Sequence, residues 1–403
     1  MCVSATKHSE LAIRGGQPVR NMFLPYSRQS IEASDVEAVV AVLRSDWLTT
    51  GRRVQELEEA FAAYVGAKHA VSFSSGTAAL HGAVFAAGLK SGDEGITSPL
   101  SFVATANCVL YQGARPFFAD VLPGTLTLNP EQVAEVVTSR TRVILPVAYA
   151  GHPAEMDAIL DSASRHNVML VEDASHALGA MYHGRSCGSV AHMTTFSFHL
   201  VKHIAAGEGG MVTTDYPSLA QSLRSFRNHG IDSDAAQRRA AGTWYYEMNI
   251  LGFNYRLSDI ACALALSQLG RIEANLARRR IIAERFNEAF RSLSGITIPV
   301  VAEGVKPAWH LYPIRLNLEK LTVGRAEIFR ALRAENIGVN VHYIPIHLHP
   351  FYRKQFGYVG GEYPIAENAY ERLLSLPMFH GMTDADIEDV IEAVRKVLAA
   401  YSR

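Results

Sequence analysis

Seven short apolar runs, separated by longer amphipathic or glycine-bearing stretches, constrain the fold of this chain more than any other feature. They are HAVSF (69–73), GITS (95–98), RPFFAD (115–120), RVILPVAY (142–149), VMLVED (168–173), TTFSF (194–198) and GMVTT (210–214). Each is too short for a stable helix and rich in β-branched or aromatic residues, so each reads as a strand. Segments of helical period lie between them, such as AEMDAILDSASRHN (154–167). This alternation predicts an α/β protein with a mostly parallel central sheet and helices on both faces. After residue 260 the pattern changes to long helices, beginning with DIACALALSQLGRIEANLARRRIIAERFNEAF (259–290), which reads as a connector into a smaller C-terminal α+β domain. The expected division is an N-terminal segment and large domain over 1–260, then a connector and small domain over 261–403. With 403 residues and 48% hydrophobic content, the chain can fill both cores. The closing helix TDADIEDVIEAVRKVLAAY (383–401) starts on Thr383 and acids, and its later basic residues are expected to complement the helix dipole.

Charge and composition exclude several functions. A formal net charge of -1 argues against nucleic acid or an anionic membrane as the main partner. No apolar run approaches the ~18 residues that span a bilayer. The first twenty residues mix charge with Gly and Pro, so no secretion signal is expected and the location is read as cytoplasmic. Cys2, Cys108, Cys187 and Cys262 are scattered without a CxxC pair, which predicts reduced thiols and no zinc site.

The chemistry is concentrated in FSFHLVKHIAAGEGG (196–210). Lys202 stands between a strand and a turn containing Gly207, Gly209 and Gly210, where the backbone can bend tightly and approach a ligand closely. A desolvated lysine loses its proton easily, and the free amine can attack an aldehyde such as that of pyridoxal phosphate. A lone lysine is more often a solvated surface charge, and its neighbours are what weigh against that here. VMLVED ends on Asp173, at the carboxyl end of a strand, where ligands of open α/β sheets bind. An ionised carboxylate there would keep a pyridine nitrogen protonated, although an Asp also caps helices and loops. In AVSFSSGTAALHG (70–82), Ser74, Ser75, Gly76 and Thr77 mark a strand-to-helix junction whose free amides would cradle a phosphate.

The order of these features, phosphate cradle, strand-end Asp, Lys and glycine turn, resembles that of fold-type I pyridoxal-phosphate enzymes. LPYSRQSI, SDWLTTG, SFVATANCVL, EDASHALGA, FSFHLVKHIAAGEGG, RNHGI, GFNYRLSDI, HLYPIR and VHYIPIHLHP extend the likeness over nearly the whole chain. Together they resemble the sugar-nucleotide aminotransferases of the DegT/StrS type. VAYAGHP, FHLVK and VHYIPIH are most similar to members that aminate C4 of UDP-4-keto-6-deoxy-N-acetylhexosamines, as in the pseudaminic acid pathway.

The resemblance implies roles. Lys202 would carry the pyridoxal phosphate and shuttle protons, and Asp173 would partner the ring nitrogen. Phe102 would stack on one ring face, with His176 near the other or near the phenolic oxygen. Ser75, Gly76, Thr77 and Ser197 would hold the phosphate. Asn254 would reach the phosphate bound by a second subunit, so the expected partner is another copy of the chain in a homodimer with shared active sites. Arg256, His310, Tyr312, His342 and Tyr343 would line the substrate pocket. The substrates implied are L-glutamate and a nucleotide-linked 4-keto-6-deoxy sugar. Same-fold alternatives are a sugar dehydratase and an aminotransferase for a 3-keto, dTDP- or GDP-linked sugar. One branch of the family has histidine in place of the lysine and removes a hydroxyl, so Lys202 favours transamination. A nicotinamide oxidoreductase is disfavoured because no GxGxxG follows the first strand.

Some positions depart from the pattern or admit more than one reading. Gly95 replaces the usual β-branched residue and is expected to weaken its strand, and Ser74 stands where many relatives have Asn. His342, His347 and His349 invite a metal, but with no carboxylate or cysteine at useful spacing none is expected. These imidazoles are read instead as hydrogen-bonding a sugar or its phosphates, or as loop packing. TWYYEMN (243–249) reads as core, as dimer interface or as a stacking surface for a pyranose or uracil.

Overall fold

All seven expected runs form strands of one sheet. The computed structural model describes residues 10–233 and 235–403, so Cys2 lies outside the described residues. The strands are β1 (His69–Phe73), β2 (Glu94–Thr97), β3 (Arg115–Phe118), β4 (Thr141–Leu145), β5 (Met169–Asp173), β6 (Met193–Ser197) and β7 (Gly210–Thr214). Their order is β1-β7-β6-β5-β4-β2-β3. Neighbours from β6 to β3 run parallel, and β7 is antiparallel to both β1 and β6. β4 ends one residue before Pro146, which has no N–H to give a ladder.

Side chains alternate across the sheet, so consecutive residues of β5 meet different helices. Leu170 packs with Met156, Ile159 and Ala163 of the helix Met156–Arg165. Val171 packs on the opposite face with Ala79, Leu80 and Ala83 of α1 (Gly76–Ala86) and Cys108 and Val109 of α2 (Ala104–Tyr111). Asp173 shares Val171's face and so looks toward α2. Gly95 has a packing reason that its sequence reading missed: a Cβ there would lie 2.7 Å from Val109 Cγ2 and 3.1 Å from Val143 Cγ1. The glycine lets α2 approach the sheet.

The expected connector is two helices, α3 (Asp259–Leu269) and α4 (Ile272–Phe290), broken at Gly270 and Arg271. Beyond them, β8 (Ile296–Thr297), β9 (Tyr312–Leu316) and β10 (Leu373–Leu376) form a second, antiparallel sheet. Its core takes in α4, the closing helix α5 (Asp384–Tyr401), and Leu11 and Leu24 from the N-terminal segment. The amides of Ala12 and Val19 donate to the Glu335 carboxylate, fastening that segment here. Thr383 and Asp386 cap α5 reciprocally, as its sequence suggests. The expected basic C-terminal turn is absent: Lys396 lies further back and pairs with Glu335 at 2.9 Å. Among the described residues no helix is long and apolar enough to cross a membrane.

Candidate active site

Asp173 sits at the carboxyl end of β5 and is 5% exposed. Three donors fix its carboxylate. Thr105 Oγ1 donates to Oδ2 at 2.6 Å, while the amide and hydroxyl of Ser175 donate to Oδ1 at 3.1 and 2.6 Å.

Lys202 stands on the loop between β6 and β7. Phe198 N donates to Gly209 O and Ala206 N to Phe198 O, closing the loop at its base. Gln268 of α3 clamps its middle, accepting from Ala205 N at 2.9 Å and donating to Ala205 O at 3.1 Å. Lys202 keeps partial exposure as a residue, but burial of its amine pushes the pKa from 10.5 down to about 8, with the nearby Asp173 opposing the shift. A substantial fraction is therefore neutral near pH 8 and able to act as a nucleophile.

Aromatic rings continue the site. His176 Nε2 and Tyr343 Oη are 3.1 Å apart, and the Tyr343 ring lies 6.0 Å from that of Phe102, which is exposed. The His310 ring lies against that of His176, tilted by 35° with centroids 4.3 Å apart. Burial first, then the neighbouring Lys202 and imidazoles, hold His176 and His310 well below the usual histidine range, so both are neutral.

Where three chain segments converge, they leave room only for glycine. A Cβ on Gly76 would sit 2.9 Å from Ser197 Cβ, and one on Gly210 would sit 2.4 Å from Ser75 O. The hydroxyl of Ser75 caps α1 by accepting from Ala78 N at 3.1 Å. The amides of Gly76 and Thr77 open that helix, where no preceding turn supplies carbonyls for them. Together these features make a cradle suited to a phosphate.

The structure draws together Ser75, Gly76, Thr77 and Ser197 in the cradle, and Phe102, His176, His310 and Tyr343 in the ring cluster. Tyr312 is a correction. It is fully buried in the second core, with its hydroxyl on Asn287 Oδ1 at 2.7 Å, and so lines no pocket. His342 is also committed, its Nδ1 lying 2.8 Å from Ser375 Oγ and its Nε2 3.4 Å from Asn340 Nδ2, which makes it a support for Tyr343. Asn254 pairs with Asn228 in an isolated bridge, and the next residue, Tyr255, accepts from Ser74 N at 2.7 Å beside the cradle. Arg256 donates to Asn228 Oδ1 at 2.8 Å and borders a separate cavity of about 970 Å³, together with Trp47, Arg227, Arg238 and Tyr246.

His347 corrects a second expectation, because folding brings it the carboxylates that its sequence neighbourhood lacks. Its Nε2 meets Glu367 at 2.9 Å, with Glu362 close by. Backbone amides of Val359 and Gly360 occupy Glu362, and those of Gly361 and Tyr363 occupy Glu367. The imidazole is fully buried, so it closes a loop and does not face a sugar. TWYYEMN is not core, since Trp244 is 84% and Met248 65% exposed. Thr105, Ser175 and Gln268 are functional neighbours that motif reading missed. Only Ser175 had a local signal, an Asp with a serine two residues on.

Comparison with known proteins places the chain in a family. Residues 29–395 match the DegT/DnrJ/EryC1/StrS aminotransferase family. The chain belongs to that family. It is 45% identical over 381 residues to the spore coat polysaccharide biosynthesis protein SpsC of Bacillus subtilis, covering 94% of this chain and 98% of SpsC. Helicobacter pylori PseC, an aminotransferase involved in the biosynthesis of pseudoaminic acid, superposes with a TM-score of 0.87 at 31% identity, covering 94% of this chain and 100% of PseC. Spr1654 from Streptococcus pneumoniae, solved in PLP and PMP forms, reaches 0.88 for the PMP form at 29% identity, covering 94% and 99%. The fold is that of fold-type I aminotransferases. The residues present fit pyridoxal phosphate: an enclosed amine with a lowered pKa, a fixed carboxylate and a glycine-lined phosphate cradle.

Proposed function

We propose that this chain is a sugar aminotransferase that moves the amino group of L-glutamate to the C4 ketone of a nucleotide-linked 4-keto-6-deoxy sugar, of the UDP-N-acetylhexosamine type. The observation that carries the reading is Lys202, an enclosed amine with its pKa pushed to about 8, in the field of an Asp173 carboxylate held by Thr105 and Ser175. Family membership supports the transamination, and the pathways named for SpsC and PseC support a sugar acceptor.

Pyridoxal phosphate, when bound, supplies an electrophilic aldehyde and a ring that withdraws electrons. Lys202 Nζ would hold that aldehyde at rest. When free, Nζ would be the base that removes the proton from the donor's Cα and later returns a proton to the sugar's C4. The Asp173 carboxylate, held by Thr105 and Ser175, would pair with the ring nitrogen. The first amides of α1 and the Ser197 hydroxyl would bind the phosphate, Phe102 would stack on one ring face, and His176 would lie near the other face or the phenolic oxygen. Tyr343 keeps His176 oriented through their hydrogen bond. The reading includes a cytoplasmic homodimer, with Asn254 and Arg256 acting in the partner's site. Exposed Trp244, Tyr245, Met248 and Leu251 supply apolar surface for that contact.

A panel of 4-keto and 3-keto sugars linked to UDP, dTDP or GDP, offered with L-glutamate, tests the assignment through mass and NMR identification of the product. Amination of a UDP-linked 4-ketone is expected. Turnover confined to dTDP- or GDP-linked ketones overturns the nucleotide, and water release without use of glutamate overturns the transfer.

A further inference from the structure

Arg279, in the middle of α4, is 2% exposed, and among the described residues no carboxylate pairs with it. Burying an uncompensated guanidinium is costly, so its hydrogen bonds must matter. Nη1 donates to the carbonyls of Trp309 at 3.0 Å, His310 at 3.3 Å and Met378 at 3.0 Å. The preceding carbonyl, Ala308 O, is held by His203 Nε2 at 2.9 Å. A carbonyl only accepts, so Nε2 of His203 carries the proton. The carbonyls of residues 308–310 are thus all held by donors from α4 or from the residue next to Lys202.

The two ends of this segment are pinned from the other side. Ala308 N donates to Gly151 O, and Leu311 N to Ala150 O. A Cβ on Gly151 would lie 2.8 Å from Trp309 N and 2.9 Å from His176 O, so the segment runs tightly against the backbone that carries His176. Trp309 adopts a left-handed φ of 50°, which such anchoring holds in place. The product of this arrangement is the His310 ring, packed against His176 at 4.3 Å.

We propose that Arg279 is a positioning residue: by fixing the backbone of Trp309 and His310, it sets the His310 ring against His176 and thereby the imidazole presented to the cofactor at Lys202. This rests on the reading of Lys202 as the cofactor site. A lysine at 279 would keep the charge, but its ammonium ends one bond short of Nη1, the single nitrogen that reaches carbonyls on both segments.

Arg279→Lys and Arg279→Met test it with two readouts. In cofactor-free protein labelled at histidine, the ring resonances of His176 and His310 are expected to shift in both variants, with melting temperatures close to that of the unsubstituted protein. In protein loaded with pyridoxal phosphate, bleaching of the visible absorbance by L-glutamate is expected to slow by roughly tenfold to a hundredfold, with cofactor affinity unchanged. Unmoved histidine resonances with unaltered bleaching overturn the proposal. Failure of both variants to fold also overturns it, because Arg279 would then be structural. If the unsubstituted protein takes up no pyridoxal phosphate, the Lys202 reading fails instead, and the resonances of cofactor-free protein still judge Arg279.

Discussion

The hydroxyl of Thr105 hands its only proton to Asp173, with Oγ1 and Oδ2 2.6 Å apart. Thr105 Oγ1 is also 2.9 Å from Ser101 Oγ, so with its proton spent on Asp173 it must accept from Ser101. A chain of two hydroxyls thus polarises the carboxylate. Thr105→Ala removes a buried donor to a charged group and is expected to weaken pyridoxal phosphate binding roughly tenfold or more. Thr105→Ser, which keeps the hydroxyl, is expected to retain most of it. Spectroscopic titration of the cofactor into each variant checks this, and equal affinities for Ala and Ser would remove Thr105 from the site.

Lys202 makes stability depend on pH in a definite direction. Burial lowers its folded-state pKa from 10.5 to about 8, so between those values the unfolded chain binds more protons. Below about pH 8 both states are protonated and the whole penalty of enclosing an ammonium is present; it fades as pH rises toward 10.5. Lys202→Met is therefore expected to stabilise the cofactor-free protein at neutral pH, by roughly 3 kcal/mol, and to lose that advantage above pH 10.5. Denaturant unfolding at several pH values checks the sign. Stabilisation that grows with pH would contradict an enclosed amine.

The cradle predicts a steric effect. Gly210→Ala would put a Cβ 2.4 Å from Ser75 O and 2.9 Å from Gly76 N, so the turn that opens α1 must move. Overpacking of this kind costs about 1–3 kcal/mol, and the displaced amides should release the phosphate. Lower thermal stability and weaker binding of pyridoxal phosphate are both expected. Gly207→Ala is the contrasting change: nothing lies within 4 Å of its Cβ, but its φ is 79°. It is expected to cost backbone strain alone and to spare cofactor affinity.

What could be read from the chain follows from how local each signal is. The seven strands and the Lys202 turn are short-range patterns of branched residues and glycine, so they were legible. Asp173 was legible as a strand end, but Thr105 lies 68 residues away and Gln268 lies 63 residues from Ala205, distances over which one sequence carries no pattern. Tyr312 was misplaced for a geometric reason. The resemblance assigns both His310 and Tyr312 to the pocket, yet β9 begins at Tyr312, after the left-handed turn at Trp309, and the Tyr312 ring enters the second core. Gly95 was read by β propensity, whereas Val109 sets the requirement there.

Shared active sites lead to a complementation test. Within one chain, Arg256 borders a cavity with Tyr246, and Tyr255, between Asn254 and Arg256, accepts from Ser74 N at 2.7 Å beside the phosphate cradle. If each site combines Lys202 of one copy with Asn254 of the other, Lys202→Ala and Asn254→Ala proteins should each be impaired alone. Mixed and allowed to exchange, half of the dimers pair one of each, and each such dimer has one intact site and one doubly damaged site. Activity should therefore return to roughly a quarter of the unsubstituted level. Replacing Trp244 and Leu251 by serine should abolish both the return and the dimer in sedimentation. A mixture no more active than its parents, from chains shown to exchange, would confine each site to a single copy and leave Asn254 without a role in it.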